Sequence, residues 1–446
     1  MPNVRSSLLA AALLVLAGCS LVPGDDEERP TPPAPSGTSY AAAPDVVAGV
    51  ERTLAQRAAA VVAVDADVFG RGVAGPADFR AAQATWFANL RQLPVGELGY
   101  TVDPATMVRQ GDDYWVVVEQ RLRLDGYDAV PVVTRDRWRF RPAAKQPDRM
   151  VLTSVTDADW ESENDVHPAP WELGPVQVRS AEGVLGVFDD ASLAAAPRLL
   201  RSVERGIEQV AARVPYEWMR SVVVYALADP SYLAGIPDVP GGDPDDLDGV
   251  AFPVPAAPGE AALAATRFAL HPRMLDRPGP ARDRLVRHEL THVALGPRDD
   301  GAPLWLSEGV AEYVSAQPMA PRARRVPQRA VEAAQAGFVD LPADDAFDEA
   351  AAVAYAEAWW ACEYLARSFD ESVLWSLLDA LGAGTAGDPG QVLHDLLGVW
   401  PSGLARRAGE LIVAEYGEPP PVVPPVVPPA EVPTEAPVVP TQAPTG

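Results

Sequence analysis

Two neighbouring stretches decide how the rest of the chain is read: Arg282 to Pro297, R-D-R-L-V-R-H-E-L-T-H-V-A-L-G-P, and Leu304 to Ser315, L-W-L-S-E-G-V-A-E-Y-V-S. Leu285, Val286, Leu290 and Val293 form an apolar stripe at helical spacing, and Gly296-Pro297 is a strong stop. The spacing predicts a helix carrying His288-Glu289-Leu290-Thr291-His292, an H-E-x-x-H motif. Residues i and i+4 share a helical face, so His288 and His292 can offer two imidazoles to one ion, with Glu289 beside it. A second helix starting near Pro303 carries Glu308 and Glu312 at the same i, i+4 spacing.

A hydrolytic zinc site takes three protein ligands and keeps one position open. His288, His292 and Glu308 make such a set, and Glu312 is placed to orient a ligand histidine. The chain contains five histidines, so an H-E-x-x-H with a downstream glutamate is rarely accidental. The plainer alternative is a surface helix with two solvated histidines.

H-E-L-T-H followed by W-L-S-E-G-V-A-E-Y resembles the gluzincin zinc metallopeptidases, the thermolysin and aminopeptidase N superfamily of peptidase MA-like enzymes. The resemblance implies His288, His292 and Glu308 as Zn2+ ligands, Glu289 as general base, and a peptide or protein substrate. Fifteen residues separate His292 from Glu308, a shorter gap than in the aminopeptidase N type, which implies a tighter turn over Gly296 to Ala302. The chain lacks a G-A-M-E-N-type sequence, so aminopeptidase activity is not implied. The resemblance also implies that the strand ahead of the histidine helix, Thr266 to His271, is an edge that pairs with extended substrate. In Ala351 to Phe369 the pattern Y-A-x-A-W is similar to the C-terminal helix of bacterial gluzincin-like peptidases, which makes Tyr355 a candidate donor to an oxyanion. Two readings stand beside this one: a binding module whose peptidase domain is degenerate, and a zinc enzyme acting on something other than peptides.

The chain has 446 residues, 48% of them hydrophobic, enough for two domains with their own cores. A formal charge of -26 argues against nucleic acid or an anionic membrane surface as electrostatic partners. Residues 1–18 read as a signal peptide, with Arg5 before the apolar run Leu8 to Ala17, which is too short to span a bilayer. Leu16-Ala17-Gly18-Cys19 looks like the lipobox of bacterial lipoproteins, which implies lipidation of Cys19 and an extracytoplasmic protein anchored to the membrane. Residues 19–42 then form a proline-rich, charged tether. Cys362, the one other cysteine, reads as a buried core thiol.

Residues 43–160 read as helices at Ala48 to Val64 and Pro76 to Leu90, then strands at Glu97 to Val102, Tyr114 to Leu124, Val130 to Phe140 and Met150 to Val155, with a hairpin turn at Asp125-Gly126. That order is similar to the cone-shaped nuclear transport factor 2-like superfamily, and predicts an accessory domain without catalysis. Residues 161–175 read as a linker. Residues 176–417 hold the metal motif in a small sheet, a helix and a helical C-terminal half. The fold class expected is α+β, a cone of helix and antiparallel sheet followed by a gluzincin-like domain. His271 and His394 read as structural or exposed. The acidic stretch Gly235 to Asp248 reads as a solvated loop, and residues 418–446 as an extended proline-rich tail.

Overall fold

The computed structural model describes residues 43–236, 247–382 and 387–417. The signal peptide, Cys19, the tether, the proline-rich tail and most of the acidic stretch therefore lie outside the described residues. No helix among the described residues is long and apolar enough to cross a membrane. The fold is α+β, as expected: helices and an antiparallel sheet first, a second sheet next, and a helical C-terminal half.

The first unit packs helices Pro44–Val62 and Ala77–Leu90 against four strands, β1 (Val95–Gln110), β2 (Asp113–Leu124), β3 (Val132–Ala143) and β4 (Gln146–Ser154), in the order β1-β2-β3-β4. Val50 and Leu54 of the first helix meet Val116, Val118, Trp138, Phe140 and Leu152 of the sheet. The expected strand ending at Val102 runs on to Gln110, because the pairing irregularity between Asp103 and Val108 absorbs Pro104. The tight turn of the first hairpin is Gly111-Asp112, where Gly111 takes φ 64° at no steric cost. The expected turn at Asp125-Gly126 opens the longer connection of the second hairpin, from β2 to β3.

The second sheet contains β5 (Gln177–Ala181), β6 (Val184–Phe188), β7 (Val222–Ala226), β8 (Gly249–Pro255) and β9 (Leu263–Leu270), in the order β5-β6-β7-β9-β8. The central strands β6, β7 and β9 run parallel, and β5 and β8 close the edges antiparallel. Both β6 and β7 are buried along their whole length, which is why they read as unbroken apolar runs. One correction follows for the substrate-pairing edge: Thr266 to His271 falls largely on β9, an interior strand, and the edge beside the histidine helix is β8. Pro253 and Pro255 fit that place, since a strand lacking those N–H groups cannot sit in mid-sheet.

Alternation along the strands splits the core in two. Val184, Phe188, Val222, Val224, Phe268 and Leu270 face the helical layer, where helix Ala196–Ala211 and the C-terminal helices pack. Leu185, Val187, Val223, Tyr225 and Phe252 face the other way, onto Phe69, Trp86, Phe87 and Leu90 of the first unit. Residues 161–175, expected as a linker, contain the short helix Pro170–Leu173, and Trp171 is buried at 3% exposure in this shared core. Its ring meets Tyr225 edge-on at 6.1 Å. Truncation of Trp171 to alanine removes an aromatic ring from a closed site and is expected to cost about 3–5 kcal/mol. Denaturant unfolding of the purified chain would measure that loss.

Candidate metal centre

The histidine helix, Gly279–Leu295, buries every residue from Val286 to Leu295. Its neighbour, the glutamate helix Leu304–Ala316, is buried over most of its length, Glu308 included. Arg287 fastens the two, donating from Nε to the Ser315 carbonyl at 2.8 Å. His288 Nε2 lies 3.2 Å from His292 Nε2 and 3.2 Å from Glu308 Oε2, and His292 Nε2 lies 3.6 Å from the same oxygen. The ligand atoms of all three residues fall within 4.8 Å of one another, a group able to hold a metal ion. Glu308 Oε2 is buried with no hydrogen-bond partner among the described residues. An orphaned carboxylate oxygen beside two imidazole nitrogens is a donor set that fits a divalent cation of borderline softness.

The other side of each imidazole is also engaged. Glu312 Oε1 lies 3.1 Å from His288 Nδ1, and Arg284 in turn pairs with Glu312. The Arg284 guanidinium sits 4.6 Å from the ring centroid of Trp359 on helix Ala351–Phe369, so one arginine ties three helices together. His292 Nδ1 meets both oxygens of Asp299 at 3.0 Å. Sequence reasoning missed Asp299, which it left in a turn. Gly296, at φ 58° and ψ -136°, ends the histidine helix and reverses the chain into the short helix Pro297–Gly301, bringing Asp299 back under His292. The one available signal was an acidic residue just past that glycine, seven positions beyond a candidate ligand.

Electrostatics follow from this closeness. Burial opposes a charge on His288, but the Glu308 and Glu312 carboxylates outweigh it and raise its pKa to about 10. His292 is pushed well above its ordinary range in the same way, by Asp299 and Glu308 against the desolvation of its ring. Glu308 is itself desolvated, yet the two imidazoles hold its pKa far below the usual carboxylate range. Glu289, 3% exposed, is shifted upward by burial, while the imidazoles and a hydrogen bond from the Ala251 N–H of β8 pull the other way. Tyr355 lies with its ring centroid 6.2 Å from that of His288 and packs edge-on to Phe347 at 5.1 Å. Desolvation and the nearby Glu308, Glu289 and Glu312 raise its pKa well above 10, so its hydroxyl keeps its proton.

The structure thus brings His288, Glu289, His292, Glu308, Glu312 and Tyr355 into one neighbourhood. His271 is apart from it, accepting the Arg273 N–H at the start of a short helix. His394 stacks on Trp400 at 4.2 Å, and Cys362 is a fully buried thiol. No family model matches this sequence, and no curated protein matches it either.

Two outcomes are expected. Asp299→Asn leaves all three ligands in place but loosens His292, and equilibrium dialysis should show metal affinity falling about 10-fold to 100-fold. Metal uptake must displace protons from the imidazoles, because the neighbouring carboxylates shift both rings upward in pKa. Affinity therefore weakens as pH falls, and titration calorimetry in buffers of different ionisation heat would count the protons.

Proposed function

We propose that the chain is a zinc metallopeptidase, hydrolysing peptide bonds outside the cytoplasmic membrane to which Cys19 anchors it. The observation that carries this reading is the convergence of His288, His292 and Glu308 beside a buried Glu289 that is not itself part of the ligand group. Zinc, when bound, supplies a Lewis acid that acidifies water and polarises a carbonyl group.

The chain's own groups then divide the remaining work. Asp299 and Glu312 hold the two imidazoles by their Nδ1 sides, leaving both Nε2 atoms free to ligate. Burial raises the Glu289 carboxylate toward the range where it can take a proton from water and pass it to a departing amine. The Ala251 N–H holds that carboxylate from the β8 side. Tyr355 keeps a proton that it can share with a developing oxyanion. Support for an extended peptide as substrate comes from β8, the sheet edge that runs past Glu289. Pro253 cannot donate there and the Ala251 N–H is held by Glu289, so substrate pairing centres on the Gly249 backbone and the Ala251 carbonyl.

An intact ligand set with an intact base disfavours a degenerate binding module, because loss of chemistry leaves such sites free to erode. Glu289→Gln is expected to bind one zinc per chain as the parent does and to lose about 10²-fold to 10⁴-fold in turnover of a peptide library. Undiminished turnover in that variant would remove the proposed base, and no cleavage by the zinc-loaded parent would remove the peptidase reading. Tyr355→Phe should lower kcat about 10²-fold with KM little changed.

A further inference from the structure

On the face of the second sheet turned away from the helical layer, the two units frame a partly open cavity of about 510 Å3. It lies within the size range of small-ligand sites, roughly 300–1,000 Å3, and admits one or two residues of a peptide. Trp171, Tyr225, Tyr232 and Phe252 supply aromatic walls. Two polar groups in this lining bear on what the cavity takes.

Arg267 projects from β9 and is 5% exposed. Its Nη2 donates to Asp128 Oδ1 at 2.8 Å and its Nη1 to the Tyr225 hydroxyl at 3.0 Å, so its charge is balanced. Its Nε is buried with no hydrogen-bond partner among the described residues. A buried donor left unmet is unfavourable, and a carbonyl oxygen would satisfy it. Glu172 is the second group. Its oxygens accept the Ala169 N–H at 2.9 Å and, more weakly, Gln120 Nε2 at 3.4 Å, yet no cation pairs with it among the described residues. The carboxylate lines the cavity and is exposed at its mouth, while the groups packed around it push its pKa up by desolvation. Asp136, on the same strand face as the cavity residue Thr134, is held at about 7 by burial, with Glu172 adding to the effect. The surroundings therefore favour a positive charge.

We propose that this cavity is a second ligand site and takes the free amino terminus of an apolar peptide. The ammonium would pair with Glu172, the first carbonyl oxygen would accept from Arg267 Nε, and the first side chain would lie against the aromatic walls. An α-ammonium and its own carbonyl are the smallest unit that offers a cation and an acceptor together. This site is independent of the metal centre, which β8 approaches through Ala251 on the other side of the strand from Val250 and Phe252.

The test uses the full chain and two probes, phenylalaninamide and N-acetylphenylalaninamide, with affinities measured by titration calorimetry. The free amine should bind at least about tenfold more tightly than the acetylated probe, the worth of one charge-assisted hydrogen bond. Glu172→Gln should erase that preference, and Thr134→Trp, which fills the cavity from β3, should abolish binding with Tm unchanged. His292→Ala should bind the amine as the parent does. Equal affinity for both probes, no binding of either, a Glu172→Gln variant that keeps its preference, or loss of binding in His292→Ala would each overturn the proposal.

Discussion

Two imidazoles and a carboxylate, each less than a tenth exposed, stand in the middle of an apolar helical layer, and the rest of the structure is arranged to make that burial tolerable. Desolvating three ionisable groups costs several kcal/mol unless each finds a partner. Here the partners come in sequence: Asp299 for His292, Glu312 for His288, Arg284 for Glu312, and the face of Trp359 for Arg284. The cavity network of Arg267, Asp128 and Tyr225 obeys the same rule on the opposite side of the sheet. Glu308 Oε2 is buried without a hydrogen bond among the described residues, and its place beside the two Nε2 atoms is what marks the site for a cation.

Helix geometry explains why so much of this centre was legible in the sequence. His288 with His292, and Glu308 with Glu312, are i, i+4 pairs, and an apolar stripe fixes which face each pair occupies. Gly309, next to Glu308, has its own reason: a Cβ there would stand 2.6 Å from the Ala358 carbonyl oxygen and 2.8 Å from Cys362 Sγ. Only a glycine lets the helix bearing Tyr355 approach so closely. Asp299 obeys no period, because its place depends on the chain reversal at Gly296 and on nothing that repeats.

The misread elements share a cause. Thr266 to His271 precedes the histidine helix in the sequence, but adjacency along the chain does not decide which strand lies outermost; β8 pairs outside it and takes the edge. The prolines of β8 carried that information, as Pro104 misleadingly suggested an end to β1 where a bulge suffices. Residues 161–175 look like a linker by their polarity and prolines. Their one decisive residue is Trp171, whose burial depends on surfaces contributed by both units.

That shared core bears on modularity. Leu185, Val187, Val223, Tyr225 and Phe252 form a continuous apolar face of the second sheet, and the first unit is what covers it. An accessory domain joined by a loose tether can be lost or exchanged between chains without disturbing its neighbour; one that completes the neighbour's hydrophobic core cannot. Removing the first unit would therefore expose much of that apolar face, so it serves as part of the core of the sheet against which the histidine helix packs.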